Sequence, residues 1–212
     1  GRNGGGLAGT SDGTVTGVTV TGRVGGTSGV GGLVGTNRGT VTDSVSAADV
    51  RGADRVGGLV GTNLGPVEPW RSAGLVTGST ATGDVTGGRN VGGLVGWNAR
   101  ATVVDSAAAG DVEGTGRSGG GLVGRNEGTI IGSVATGDVT GGNAVGGLVG
   151  RNGVGDVVDS AARGDVAGSD QTGGLVGSTG SGTIRGSAAT GAVTGEDSVG
   201  GLVGFGEFSS IS

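Results

Sequence analysis

The chain has 212 residues, of which 59 are Gly, and its 13 Arg and 18 acidic residues give a net charge of −5. It contains no Cys, His, Met, Tyr or Lys, which excludes disulfides, thiol chemistry and the usual soft-metal ligands. The acidic balance argues against nucleic acid as a partner, and no apolar run approaches the roughly 20 residues that cross a bilayer. Because Met is absent, we expect the sequence to be part of a longer translated chain.

One short motif recurs along the whole chain. Gly-Leu-Val-Gly, or its variant Gly-Leu-Ala-Gly, is centred on Leu7, Leu33, Leu59, Leu94, Leu122, Leu148, Leu175 and Leu202. The intervals between these leucines are nearly equal, except that the one after Leu59 is longer because a segment near residue 70 is inserted. A period of about 27 residues indicates a repeat array, in which neighbouring units bury a face that none could bury alone.

Three segments of each unit have the composition of short β-strands. The first directly follows the Leu and contains Val34 or its equivalent, and the second, eight or nine residues after the Leu, contains Val41 or its equivalent. The third contains Val50 or its equivalent, nine or ten residues before the next Leu. Frequent Gly disfavours helices, since an interior Gly costs about 1 kcal/mol relative to Ala. We therefore predict an all-β fold, a parallel β-solenoid of about seven to eight coils with three strands per coil, as a single domain over 1–212.

Polar residues form two further columns between these segments. Asn recurs four residues after the Leu, where stacked amides can hydrogen-bond to one another and where Asn also suits a left-handed turn. This column comprises Asn37, Asn63, Asn98, Asn126 and Asn152. Ser recurs fifteen or sixteen residues before the next Leu, at Ser44, Ser79, Ser106, Ser133, Ser160 and Ser187. Since no His is present as a general base, we predict corner residues rather than nucleophiles.

A third polar column consists of carboxylates. It lies ten or eleven residues before the next Leu and comprises Asp49, Asp84, Asp111, Asp138 and Asp165. Stacked carboxylates repel, so the column needs compensation, either from turn amides as exposed Asx turns or from shared cations such as calcium. The Gly-Gly-x-Gly-x-Asp pattern of calcium-binding nonapeptides is missing, which favours Asx turns. No other cofactor is indicated.

Alternate units differ in type. The stretch that begins with Val104-Asp-Ser-Ala-Ala recurs two units later at Val158, and Ala81-Thr-Gly-Asp recurs at the same distance at Ala135. This longer period indicates that the array grew by duplication of a pair of units.

The inserted segment, at about 65–78, holds both prolines and Trp70. The second Trp, Trp97, occupies a column that otherwise holds Thr10, Thr36, Thr62, Arg125, Arg151, Ser178 and Phe205. This variability indicates an exposed column. Two roles are open for the pair: Trp70 folds back over Trp97, or both form a platform that recognises a glycan or a protein.

The repeat resembles a known family. The pattern Val-Gly-Gly-Leu-Val-Gly-x-Asn-x-Gly-Thr-Val, followed by Ser-Ala and Gly-Asp-Val, is similar to the GLUG repeat, most clearly at 30–41 and 145–152. This resemblance implies a β-helical, extracellular module, as in secreted or surface-attached microbial proteins such as filamentous adhesins and some peptidases that carry the repeat as an accessory region. It implies no catalytic residues.

We therefore expect an extracellular structural protein, either the subunit of a self-assembling surface filament or a section of an adhesin stalk. Solenoid ends expose strand edges that can template another copy, which predicts end-to-end homo-oligomers. The candidate joining residues are Leu7, Phe205, Phe208 and Ile211. The alternative is an adhesion module for a cell-surface glycan or protein.

Two further functions are disfavoured. The Thr columns that an ice-binding face would need are interrupted by Pro66, Asp156, Glu113 and Ala167. An enzyme is disfavoured because no acidic pair stands out.

Overall fold

The computed structural model describes residues 1–66, 73–207 and 210–212 of the chain. Its strands form three sheets, named A, B and C below, and neighbouring coils pair in parallel, as Val95 does with Val123 in sheet B. The chain thus winds as a β-solenoid of about seven turns, which confirms the all-β fold with three strands per coil. No helix among the described residues is long and apolar enough to cross a membrane.

Sheet B contains the strands that directly follow the repeated Leu. The first residue of each strand pairs with its equivalent in the next coil, as Val34 does with Val60, and both side chains are fully buried. The strands are Ala8–Ser11, Val34–Asn37, Val60–Leu64, Val95–Ala99, Val123–Asn126, Val149–Asn152, Val176–Thr179 and Val203–Gly206.

Sheet C follows after a short turn, and each strand buries its central Val or Ile except at the two ends. Its strands are Thr14–Thr16, Thr40–Thr42, Leu75–Thr77, Thr102–Val104, Thr129–Ile131, Asp156–Val158, Thr183–Arg185 and Ser210–Ile211. Val76 pairs with Val41 and Val103 on its two sides. The last part of the predicted insertion 65–78 is therefore a regular strand, and the extra residues precede Leu75.

Sheet A closes each coil and is the largest sheet. Its strands are Arg2–Gly5, Thr19–Gly25, Ser28–Gly31, Val45–Gly57, Thr80–Ala81, Val85–Gly92, Ala107–Ala108, Val112–Gly120, Val134–Ala135, Val139–Gly146, Ala161–Ala162, Val166–Ala167, Asp170–Gly173, Ala188–Ala189, Val193–Thr194 and Asp197–Gly200. Near the end of its longer strands the backbone bends at a residue with positive φ, such as Arg55 (52°) and Asn90 (50°).

The bend divides the interior into two cores. The larger core contains the repeated Leu together with the first residues of sheet B, the central residues of sheet C and an Ala from each short strand of sheet A. The smaller core consists of Val residues on either side of the bend, such as Val85 and Val91. Gly87 lies between them, and a Cβ atom there would be 2.8 Å from Cγ2 of Val91. The same Cβ atom would be 3.0 Å from Cγ2 of Val56, so Gly at this position leaves room for Val56 and Val91 to pack in the smaller core.

Two hydrogen-bonded ladders fix the register of the coils. Nδ2 of Asn63 donates to Oδ1 of Asn98 at 3.0 Å, and Asn98 donates in the same way to Asn126 at 2.9 Å. The Asn side chains are fully buried, so the predicted Asn ladder is confirmed. In the Ser column, the backbone N–H of Ser106 donates to Oγ of Ser133 at 3.2 Å, and Oγ of Ser106 donates to the carbonyl of Val104 at 2.7 Å.

Candidate functional site

The Asp column lies on the solvent side of the corner before the longer strands of sheet A. Oδ1 of Asp84 accepts a hydrogen bond from the backbone N–H of Asp111 at 3.1 Å, and Oδ1 of Asp111 accepts one from Asp138 at 2.9 Å. The same bond joins Asp165 to Ala192. The amides therefore belong to the next coil, whereas the predicted Asx turns would use amides of the same turn. The dipoles of these backbone N–H groups thus offset the repulsion between the stacked carboxylates.

These carboxylates are also the sequence-based candidates for a cation site. Among residues 1–66, 73–207 and 210–212, no group of three or more carboxylate, His or Cys side chains is placed to hold a metal ion. Asp49 instead forms an exposed ion pair with Arg23 at 3.8 Å. The Asp column is thus best described as a hydrogen-bonded ladder between coils.

The outward face of sheet B meets the bend of sheet A along a groove parallel to the solenoid axis. The prediction that this column is exposed is wrong for Thr36, Thr62 and Ser178, which are buried where the bend of sheet A covers them. The second Gly of each Gly-Leu-Val-Gly motif makes this close approach possible. A Cβ atom on Gly96 would lie only 2.6 Å from the carbonyl carbon of Arg55, which precedes it by one coil. The repeated motif therefore shapes the groove as well as the core.

Trp97 lies at the centre of this groove and is half-buried. Its register partners in sheet B are Thr62 in the preceding coil and Arg125 in the following one, as the sequence column predicts. The guanidinium of Arg55 stands 6.0 Å from the centre of the indole ring and that of Arg125 stands 5.7 Å from it, which is within cation–π range. Trp70 lies outside the described residues.

Five arginines line the groove beside Trp97, which has a volume of about 290 Å³. They are Arg55, Arg89, Arg117, Arg125 and Arg151. Arg89 pairs in register with Arg117 in sheet A, and Arg125 pairs with Arg151 in sheet B, so arginines of consecutive coils flank the groove on both sides. Asp54 is the one acidic residue lining this part of the groove among the described residues.

Two of the five guanidiniums are fixed by local partners. Arg55 donates from Nε to Oδ2 of Asp54 at 3.1 Å and from a terminal nitrogen to Oγ of Ser28 at 2.6 Å. Arg125 forms a short ion pair with Glu127. Arg89, Arg117 and Arg151 are exposed and form no salt bridge with any described residue.

The groove continues along the axis beyond the arginines. This second part has a volume of about 340 Å³, shares Arg117 and Arg151 with the first, and extends to Phe205. Asn143 and Gln171 occupy its wall, where the first part has Arg side chains. The groove is thus basic over one half, whereas the other half is lined by amides and, near Phe205, by the carboxylate of Glu207.

Sequence reasoning missed this cluster. It identified Trp97, Arg125 and Arg151 as one variable column, which the pairing of sheet B confirms. Arg89 and Arg117 belong to sheet A, and each precedes its counterpart, Trp97 or Arg125, by the same interval along the chain. A search for Arg at this interval before the residues of the Trp97 column would have found Arg89 and Arg117.

The candidate joining residues lie in the first and last coils. Exposed fractions are 50% for Leu7, 39% for Phe205 and 48% for Ile211. Leu7 belongs to the same column as Leu33, which is fully buried. Phe208 lies outside the described residues.

Comparison with known proteins identifies the repeat. The model of the GLUG motif matches residues 52–86 and 87–113, which include Arg55, Arg89 and Trp97. Neither a curated protein nor a solved structure matches the chain. The other coils follow the same register of strands and ladders as the two matched segments. The chain therefore carries repeats of the GLUG family.

Proposed function

We propose that this chain is an extracellular structural section whose end coils stack on coils of another copy, as in a surface filament or an adhesin stalk. The observation that carries the proposal is the contrast within the Leu column. Leu33, Leu59 and Leu148 are fully buried between neighbouring coils, whereas half of Leu7 is exposed. One further coil would bury it and pair the strand edge beside it.

Geometry limits how two copies can meet. The strands of neighbouring coils are parallel, so a second copy continues this parallel pairing only if its first coil meets the last coil of its neighbour. This contact is head-to-tail and leaves a new open edge at each step, which gives filaments rather than closed dimers. Phe205 and Ile211 would face Leu7 and its neighbours across such a junction.

A non-catalytic role is part of the proposal. Oγ of Ser133 donates to the carbonyl of Ile131 at 2.9 Å and accepts from the backbone N–H of Ser106. The equivalent hydroxyls are bound in the same way, so they serve the ladder rather than a reaction. With no His in the chain, no imidazole is available to activate them as a general base.

The test is the association state of the 1–212 chain over a range of concentrations, measured by light scattering and sedimentation. We expect assemblies that grow with concentration, and we expect Leu7→Glu to abolish them by placing a charge in the junction. Val154→Glu is the matched control, because Val154 is 68% exposed on the side of an inner coil. A monodisperse monomer at high concentration, or equal effects of both variants, contradicts end-to-end stacking.

A further inference from the structure

We infer that the groove around Trp97 binds an anionic polysaccharide, a chain of uronic acid sugars laid along the solenoid axis. The inference is independent of stacking between end coils. It starts from the charge distribution: a chain with net charge −5 gathers five of its 13 arginines along one groove beside Trp97. Like charges in register repel, as Arg89 with Arg117 and Arg125 with Arg151. Asp54 lies in register beside Arg89 and Glu127 pairs with Arg125, so the repulsion that an anion would relieve is concentrated at Arg117 and Arg151.

The spacing of the arginines selects a polymer. Register partners in neighbouring coils are ~4.8 Å apart along the axis, so the guanidiniums present a short, regular repeat of positive charge. A uronic acid chain carries one carboxylate per sugar, and a sugar unit is comparable in length to one strand spacing. Because successive sugars turn over, carboxylates on one side recur about every second coil, and the alternate ones face the opposite wall of the groove, which also carries arginines. In an extended acidic peptide the side chains on one face recur roughly 6.6 Å apart, which matches neither one nor two strand spacings of ~4.8 Å. The planar guanidinium also binds carboxylates with two parallel hydrogen bonds.

The position of Trp97 excludes one competing ligand class. Grooves for single-stranded nucleic acid stack bases on open aromatic faces. Here Arg55 from the preceding coil and Arg125 from the following coil already lie against the indole. Trp97 is thus a positioning residue, which holds two guanidiniums at the floor of the groove rather than offering a surface to the ligand.

The remaining wall suits a sugar chain. Beyond Arg117 and Arg151 the groove is lined by Asn143, Gln171 and Ser178, whose amides and hydroxyl can both donate and accept hydrogen bonds. Sugar hydroxyls have the same double capacity. A chain that extends through both parts of the groove would place carboxylates on the arginines and hydroxyls on the amides.

The chain supplies its own conservative replacements. In the next coil the register partner of Arg117 is Asn143 and that of Arg151 is Ser178, so the double variant R117N/R151S installs side chains that these columns already accommodate. The matched control is R163T/R185V, which removes two exposed arginines outside the groove. Thr136 and Val158 stand at the equivalent positions of the preceding coil. Both double variants change the net charge equally.

The experiment is calorimetric titration of the 1–212 chain with an oligogalacturonate long enough to span the groove. A neutral oligosaccharide of the same length, a single-stranded oligonucleotide and a polyglutamate peptide serve as competing probes. We expect binding of the oligogalacturonate that weakens with salt, a loss of roughly tenfold or more in R117N/R151S, and a change within about twofold in R163T/R185V.

Three results would overturn the inference: no binding of the oligogalacturonate, equal losses in the two double variants, or tighter binding of the oligonucleotide or the peptide. Light scattering on the same samples separates this result from stacking, since the groove variants leave Leu7 and Ile211 unchanged.

Discussion

The carboxylate of Asp105 lies over Gly132 of the next coil, in the space that a Cβ atom at position 132 would fill. Both residues occupy the same left-handed corner, with φ of 45° and 59°. The relation recurs between Asp159 and Gly186. Asp and Gly therefore alternate along this corner, which gives a physical reason for the period of two units: the side chain of one coil needs a neighbour without one.

This relation predicts a measurable coupling. Gly132→Ala should lower the free energy of unfolding by more than the roughly 1–2 kcal/mol of a left-handed Ala, because its Cβ also meets Asp105. In the double variant Asp105→Gly/Gly132→Ala the extra loss should disappear. Urea unfolding of the single and double variants forms a double-mutant cycle, and strict additivity would contradict the contact. Gly17→Ala is the control for the cost of a left-handed Ala alone, since the φ of Gly17 is 63° and a Cβ atom there would meet nothing within 4 Å.

The Asn ladder should be sensitive to truncation. Asn98→Ala leaves a cavity and removes the hydrogen bonds to Asn126, Asn63 and the carbonyl of Ala101, all in a fully buried setting. We expect a loss of about 2–4 kcal/mol in the free energy of unfolding. Asn143→Ala is the matched control, because Asn143 is a partly exposed residue that donates to Asp170. A comparable loss in both variants, measured by urea denaturation, would argue against a buried ladder.

The Leu column allows the same substitution to be compared at two depths. Leu148→Ala removes a fully buried side chain and should cost about 2–5 kcal/mol. Leu7→Ala removes a side chain that is half exposed and should cost far less in the dilute monomer. If the end coils stack, the cost of Leu7→Ala should rise with protein concentration, whereas that of Leu148→Ala should not. Thermal unfolding at several concentrations separates the two.

The Asp column should respond to charge and salt rather than to calcium. Asp111→Asn keeps a side-chain oxygen that can accept the hydrogen bond from the backbone N–H of Asp138. It removes the negative charge that lies between Asp84 and Asp138 in the column. We expect its thermal midpoint to equal or exceed that of the unchanged chain at low salt, and Asp111→Ala to fall below it. The gain should vanish near 1 M salt, where the Debye length is about 3 Å. A midpoint that rises with added calcium would instead favour the cation alternative.

The sequence was sufficient for the parts of the fold that repeat. The Leu, Asn and Val columns recur with one spacing. Because neighbouring coils pair in parallel, equivalent residues lie next to each other, and each column in the sequence forms a ladder in the structure. Val76 shows the limit of this reasoning, because the insertion moves it much farther from Leu59 than Val41 is from Leu33 and hides the equivalence of the two valines. The equivalence of Val76 and Val41 is evident only in the structure, where Val76 pairs with Val41 on one side and with Val103 on the other.

The site could be predicted only in part, because it depends on the bend within sheet A. Residues such as Asn90 and Ala144 adopt positive φ there without a shared residue type, so the bend leaves little trace in the sequence. The bend brings Arg89 and Arg117 across from the column of Trp97. Their equal spacing from Trp97 and Arg125 indicates a second column, but it does not show that this column faces Trp97 until the second core of Val residues is known.

The ladders of Asn, Ser and Asp all run along the axis, and this determines how the chain responds to a pull on its ends. Tension along the axis separates the coils one after another. The hydrogen bonds between coils therefore break a few at a time instead of being sheared all together. A coil without an insertion would release about 27 residues when it opens, roughly 90 Å of extended chain, from a folded length of ~4.8 Å. A stalk built from such coils would lengthen in nearly equal steps under force while the remaining coils stay folded.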